Sequence, residues 1–254
     1  METRISSLGA GSGGSCAHSF FCIRRRSIRL CLPGILMLTL EFHCHTIYSK
    51  DSLTRPETLV QAARAKGITR LVVTDHNSIG GALAAQKLDP ELVIVGEEVL
   101  TTQGELLAAF VSEEVPARLP PLEAIRRLRA QGAFISVSHP FDGHRGWQLE
   151  HLLAIAPLVD AVEIFNARCI FERENQLAAE FASQHNLLGT VGSDAHTLRE
   201  LGRAVTVLEN FHNAETLKSA LRDAQHRTRL SSPLIHFASR FAVTAKELGW
   251  VKRP

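Results

Sequence analysis

His43 and His45 stand two positions apart at the end of an apolar run, Leu38 to Phe42, with Lys50 and Asp51 a short way beyond. In an extended strand the side chains at i and i+2 share a face, so the two imidazoles would project side by side while Cys44 points the opposite way, into a core. Paired neutral imidazoles on one face suit a divalent cation. Taken alone, such a pair is more often a pair of surface or hydrogen-bonded core histidines than a ligand pair, so a metal site requires further ligands from the rest of the chain.

The elements that would position such ligands repeat one grammar after Leu53: a short helix with proline near its start and glycine after its end, then a β-branched run. "RPETLVQAARAKG" is a helix and "ITRLVVTDH" the strand after it, and "LPPLEAIRRLRAQG" with "AFISVSHP" repeats the pair. Further strands are expected at "ELVIVGEE", "LVDAVEIFN", "NLLGTVGSDAH" and "RAVTVLE". Helices are expected at "LEHLLAIA", "ERENQLAAEFASQHN" and "AETLKSALRDAQ", where Leu, Ala and Phe recur at helical spacing. "GELLAAFV" reads as an extra strand, a hairpin arm with "EVLTTQ". Near-continuous apolar strands alternating with helices predict a parallel sheet covered by helices, open or closed into a barrel.

On that frame the polar residues gather where strands end. His43 and His45 close the first strand, Asp75 and His76 the second, Glu97 and Glu98 the third, His139 the next, then Glu163 with Asn166, and Asp194 with His196. In a parallel α/β barrel the carboxyl ends of the strands meet at one rim. Each element alone has an ordinary explanation: Asp75 as a helix cap, Glu97 or Glu98 in a solvated turn, His139 as a turn residue before Pro140. Strand end after strand end delivering His, Asp, Glu or Asn points instead to one polynuclear metal site.

The stretches "FHCHTIYSKDSL", "TDHN", "GEEVLTTQGE", "SHP", "VEIFNAR" and "GSDAH", in that order over about residues 38 to 210, resemble the PHP (polymerase and histidinol phosphatase) domain superfamily. The resemblance implies an α/β fold, a distorted (β/α)7 TIM-like barrel, with two to three divalent ions at the carboxyl rim. Position by position it implies that His43, His45, Glu98 and Asp194 hold one ion and that Glu98 bridges to a second bound by His139. Asp51, His76 and His196 would hold a third. Glu98, not Glu97, fills the Gly-x-Glu position of the family. The chain departs from the family pattern in having Glu41 where Asp is common. It also offers only Glu163 and Asn166 where some trinuclear members have a histidine, which leaves the second ion weakly held or absent.

Two ions roughly 3.5–4 Å apart can share a water, lower its pKa, present hydroxide to phosphorus and stabilise the leaving oxygen. The expected activity is therefore that of a metal-dependent phosphoesterase hydrolysing a small phosphate monoester, histidinol-phosphate-like or a nucleotide phosphate, by a metal-activated hydroxide. Asp194, His196, His76 and Arg168 are the expected catalytic residues. A His-plus-carboxylate set without Cys suits Zn, Mn or Fe. Arg168 is the first choice for the substrate phosphate, because guanidinium grips phosphate bidentately. Lys50, Arg145 and His144 follow, the last two being equally well explained as a solvated loop. His18, His151, His185, His212, His226 and His236 are assigned to the tail or to helices and loops away from the rim.

Two alternatives use the same residues: a phosphodiesterase or nuclease, and a non-catalytic metal-stabilised module that binds a phosphorylated ligand. The persistence of so many ligand positions favours turnover over the module. Net charge is +2, but residues 1–40 carry five arginines against one glutamate, which leaves the remainder at −2. A body of that charge disfavours long nucleic acid, whose binding depends on Lys and Arg contacts to phosphates.

At 254 residues, 45% hydrophobic and 21% charged, the chain suits one barrel-sized domain. Cys16, Cys22, Cys31, Cys44 and Cys169 form no C-x-x-C pair, which predicts reduced thiols and a cytoplasmic protein. "RRRSIRLCLPGILMLTL" imitates a secretory signal, yet its apolar run leads directly into the histidine pair and is better used as a first strand. It is also shorter than the roughly 20 apolar residues a membrane span needs. Residues 1–36 are thus expected to be a disordered or spurious extension, 37–228 the barrel domain, and 229–254 a helical segment packing on the barrel or on a partner subunit.

Overall fold

Proline opens and glycine closes the helices that the sequence marks in this way. Helix α1 (Pro56–Ala65) begins on proline and ends before Gly67, and helix α3 (Pro121–Ala130) begins on proline and ends before Gly132; both glycines adopt φ +73°. That left-handed turn suits a residue without Cβ and points the chain back toward the sheet. The structure, a computed structural model, describes residues 37–252, so the expectations for residues 1–36 lie outside the described residues.

The strands are β1 (Met37–Glu41), β2 (Arg70–Val73), β3 (Val93–Leu100), β4 (Glu105–Ala109), β5 (Phe134–Val137), β6 (Ala161–Asn166), β7 (Leu188–Gly192), β8 (Ala204–Glu209) and β9 (Gln225–Thr228). Besides α1 and α3 the helices are α2 (Gly80–Leu88), α4 (Leu149–Ile155), α5 (Glu172–Gln184), α6 (Ala214–Leu221) and α7 (Ile235–Glu247). The sheet order is β7-β6-β5-β4-β3-β2-β1-β8-β9. It curls until the chain past β7 meets the chain past β1: Cys44 and Ala195 form a parallel bridge, and the His45 amide donates to the Ala195 carbonyl at 2.8 Å. The fold is an α/β barrel of the TIM-like kind, as expected.

The sheet is mixed rather than parallel. β3 and β4 form the anticipated antiparallel hairpin, β4 also runs antiparallel to β5, and β8 runs antiparallel to both β1 and β9. The expected helix "AETLKSALRDAQ" stops at Leu221, and its last residue starts β9, an exposed polar edge strand. Helix α2 lies in a stretch for which no element was expected; Gly81 lets it approach so closely that a Cβ there would fall 2.1 Å from both Asp75 Oδ2 and Thr46 Oγ1.

The pleat divides the strands into an outer and an inner face. Outward-facing Leu71, Val73, Val93, Val95, Ile135 and Val137 pack against the helices. Inward-facing Leu40, Phe42, Val72, Ile94, Leu107 and Phe134 form a second cluster, joined by Leu217 and Leu221 of α6. Following the inner face toward the strand ends, the same alternation replaces apolar side chains with Glu98 on β3 and Glu163 on β6, and at the start of antiparallel β4 with Glu105. The barrel is thus apolar at one end and carboxylate-rich at the other. Helix α7 lies against that polar end: Lys246 Nζ donates to the carbonyls of Ile47, Ser49 and Ser52, and Ala242 and Ala245 are buried.

Candidate metal centre

His43 and His45 are buried just past β1, with their Nε2 atoms 3.1 Å apart. Their remaining nitrogens explain the orientation. His43 Nδ1 lies 2.9 Å from Glu163 Oε1. His45 Nδ1 lies 3.1 Å from Ser49 Oγ, whose own hydrogen goes to Asp75 Oδ1 at 2.6 Å. Both Nδ1 atoms therefore carry the proton, and both Nε2 lone pairs point to one spot. Glu98 Oε2 lies 3.4 and 3.5 Å from the two Nε2 atoms, and Asp194 Oδ1 3.7 and 3.3 Å. Backbone compactness matters here too, since a Cβ on Gly192 would fall 2.3 Å from Glu163 Oε1 and 2.4 Å from His43 Cβ.

Glu98 connects this group to its neighbours. Its Oε1 lies 3.3 Å from His139 Nε2, and its Oε2 lies 2.9 Å from His76 Nδ1. On the other side Asp51 Oδ2 lies 3.5 Å from His76 Nε2 and 3.2 Å from His196 Nε2. His196 Nδ1 donates to the Asp194 carbonyl at 2.9 Å, which again leaves Nε2 as the free lone pair. Asp194 and His139 themselves sit at φ 49° and 24°, conformations that side-chain-bearing residues adopt at a cost and that cluster at functional sites.

Several of these atoms lack what a buried polar group needs. Glu98 Oε2, Asp194 Oδ1, Asp51 Oδ1 and both His139 nitrogens have no hydrogen-bond partner among the described residues. Unpaired buried carboxylate oxygens facing imidazole lone pairs are costly unless a cation joins them. Burial opposes a charge on His43, but Glu98, Asp194 and Glu163 outweigh it and raise its pKa well above the ordinary value. His45 is pushed the other way, by burial and then by His196 and His76. The field of the carboxylates thus asks for positive charge at this spot, and the donor set of imidazole and carboxylate fits divalent ions. Clusters within ligand distance include His43 with His45 and Glu98, His45 with His76 and His196, and His76 with Glu98 and Glu105.

Glu105 was not singled out from the sequence. It lies at the start of β4, with Oε2 3.3 Å from His139 Nε2 and Oε1 3.6 Å from His76 Nδ1, beside the position assigned to a second ion. The signal was available in the period of two: Glu105, Leu107 and Ala109 share the inner face of the hairpin arm. Glu163 and Asn166, which stand where some family members have a histidine, belong to none of these clusters. Glu163 instead orients His43 and accepts the His139 amide at 2.9 Å, while Asn166 donates to Glu163 at 3.0 Å and to Asp194 at 3.2 Å. Glu97 faces outward and accepts the Val115 amide. Glu41, buried behind the site, accepts amides from His43, Ser193 and Gly202.

A cavity of about 670 Å³ opens over the cluster, with Asp51, His76, Glu105 and His196 on its floor and Lys50, His144, Arg145 and Arg168 on its walls. Arg145 is no solvated loop residue: Nη1 donates to Asp194 Oδ2 at 2.7 Å and Nη2 to Asp142 Oδ2 at 2.9 Å. Arg168 is buried, with Nη2 on Ser239 Oγ at 2.8 Å and Nε 3.4 Å from Glu200. His236, placed away from the rim by its sequence position, lines this cavity with Ser239 and Arg240 because α7 lies against the rim.

Residues 41–116 match the PHP domain family, and residues 172–225 match the PHP-associated family. The uncharacterized protein MJ0417 of Methanocaldococcus jannaschii is 36% identical over 172 residues, which cover 66% of this chain and 69% of that protein. Among solved structures, PsfC from Pseudomonas syringae superposes with a TM-score of 0.61 at 18% identity, covering 82% of this chain and 98% of that one. A candidate metal-dependent phosphoesterase of Bifidobacterium adolescentis superposes with a TM-score of 0.54 at 17% identity, covering 72% and 95%. At these identities the superpositions show a common fold.

Proposed function

Because this chain belongs to the PHP domain family, we propose that its metal-dependent hydrolase centre cleaves a small phosphate monoester. The observation that carries the reading is the convergence of His43 Nε2, His45 Nε2, Glu98 Oε2 and Asp194 Oδ1 on one buried spot beneath a cavity walled by basic side chains. His43, His45, Glu98 and Asp194 would hold one divalent ion, Glu98, His139 and Glu105 a second, and Asp51, His76 and His196 a third. Bound there, such ions activate water and neutralise charge on a phosphoryl group.

The chain's own residues do the rest. Glu163 and Ser49 keep the protons of His43 and His45 on Nδ1. Arg145, held by Asp142 and Asp194, presents its guanidinium beside the first ligand group, and Arg168 and Lys50 line the cavity above; these three would bind the non-bridging oxygens of the ester. Helix α7 limits the room over the centre to a volume typical of small-molecule pockets, which favours a small monoester over a polymer. Among the described residues no helix is long and apolar enough to cross a membrane. We place the protein in the cytoplasm on its cysteine pattern, with residues 37–228 as the catalytic barrel and α7 in the segment that covers it.

The test is hydrolysis of p-nitrophenyl phosphate and a panel of phosphomonoesters, before and after chelation and after adding back Mn, Zn or Fe. Activity that is lost on chelation and restored by metal supports the proposal, and Arg145→Met should then raise KM. Faster cleavage of bis-p-nitrophenyl phosphate or a single-stranded oligonucleotide than of any monoester would replace it with a diesterase. Metal binding without turnover of either class would leave the non-catalytic module.

A further inference from the structure

A second cavity, on the flank of the barrel, has a different lining. It is an open cavity of about 660 Å³ beside the end of α1, the β7–β8 connection and the β8–β9 edge, and Lys66, Arg199, Arg203, Arg227 and Arg229 all line it. The rest of the lining contains no acidic and no aromatic residue. Five cations around one cavity are notable in a chain that carries −2 outside its first forty residues.

Four other surface arginines are paired, Arg64 with Asp89, Arg126 and Arg127 with Glu123, and Arg129 with Asp160. The cavity's cations are not. Arg199, Arg227 and Arg229 form no ion pair with any described residue, and Arg203 reaches only the Leu230 carbonyl, at 3.4 Å. Lys66 donates to the carbonyls of Leu198 and Leu201 at 2.7 and 2.6 Å, so its charge is fixed at the cavity wall. Arg227 and Arg229, two positions apart along the edge, project to one side, and the Arg229 amide bonds to the Arg203 carbonyl at 2.8 Å. Like charges lining one cavity repel, and an anion seated among them relieves that repulsion.

We propose that this flank cavity binds a compact polyanion, a small molecule carrying several phosphoryl groups. Its volume is that of a small-molecule pocket. Single-stranded nucleic acid would need aromatic platforms for its bases, and the lining supplies none. The cavity shares no lining residue with the one over the metal centre, so the proposal stands apart from the phosphoesterase reading. The two are nonetheless adjacent along the chain. The turn bearing Arg199 and Arg203 begins just past His196, and Glu200 within it accepts the amides of His196 and Thr197 at 3.2 and 2.9 Å.

The experiment is isothermal titration of the full chain with sodium triphosphate, in excess Mg²⁺ so that the ligand does not strip the metal centre. The wild type is compared with Arg227→Glu/Arg229→Glu, with Arg199→Glu, and with His43→Ala/His45→Ala. The three arginines are exposed, so their variants should keep the wild-type melting temperature. One equivalent should bind to the histidine variant and at least one to the wild type, and the affinity of the equivalent that survives the histidine substitutions should fall at least about tenfold in each arginine variant. Undiminished binding by both arginine variants, or no binding by the wild type, overturns the proposal. Loss of binding confined to the histidine variant assigns the triphosphate to the metal centre and also overturns it. An oligonucleotide that binds more tightly than triphosphate and loses affinity in the arginine variants would replace the small polyanion with nucleic acid.

Discussion

Glu163 Oε1 takes the Nδ1 hydrogen of His43 at 2.9 Å, and this one bond decides which nitrogen of the imidazole faces Glu98 and Asp194. The two residues come from β6 and the end of β1, so the tautomer is set across the barrel.

Replacing Glu163 by Gln keeps the shape but removes the charge that holds the Nδ1 proton. Metal affinity at the His43–His45 group should fall about 10- to 100-fold, the usual effect of losing a carboxylate behind a ligating histidine. Competition against a chromogenic chelator measures it. An unchanged affinity would mean that the Glu163 contact has no influence on the ligand.

Glu105 makes a separable prediction. If it completes a second ion site with Glu98 and His139, Glu105→Gln should lower the metal content by about one equivalent while the His43–His45 group stays loaded. Plasma mass spectrometry on untagged protein gives the count, and identical counts in variant and parent would remove Glu105 from the ligand set.

Lys246 reaches from α7 to the carbonyls of Ile47, Ser49 and Ser52, the segment that also carries Asp51. Lys246→Met should cost about 1.5–3 kcal/mol of stability, the range for hydrogen bonds to a charged donor, and should weaken metal binding on the Asp51 side. Lys246→Arg should restore part of both. Denaturant unfolding and metal titration report the two effects, and a stability loss without any change in metal affinity would confine Lys246 to a structural role.

Glu97 supplies a pH dependence. Burial raises its pKa to about 8 from an ordinary 4.5, the Val115 amide only partly offsetting it. The folded chain therefore holds a proton that the unfolded chain releases. Its contribution to stability is full below 4.5 and is lost as pH rises toward 8. Glu97→Gln should melt above the parent, by a margin that widens from about pH 5 to pH 8 and is level above that. A constant margin between about pH 5 and pH 8 would show that Glu97 does not titrate as its burial requires.

The histidine pair, Asp75–His76, Glu98, His139 and Asp194–His196 were legible because their backbone positions follow apolar strands whose pleat can be counted. Direction was harder to read. β8 has the same apolar alternation as a parallel strand, and only the lack of a helix between Gly192 and Ala204 hints that it returns antiparallel. Strand β9, "QHRT", carries no apolar residue, so its pairing comes from the backbone of β8 and leaves no mark in side-chain pattern. Glu105 was hidden for a related reason: an antiparallel arm enters the rim at its start, where strand-end reasoning does not look. The partners of Arg145 and Arg168 depend on Asp194, Glu200 and Ser239, which no local spacing connects to them.

The Cys44–Ala195 bridge lies between His43 and His45 on one side and Asp194 and His196 on the other. Sealing the barrel and assembling these four side chains are consequently a single event, and it joins segments about 150 residues apart in the chain. Such distant contacts form late, after most loop-closure entropy has been spent. A nascent chain would thus show no high-affinity metal binding until its sheet had closed, and a bound ion would act mainly on the opposite process, slowing the reopening of that seam.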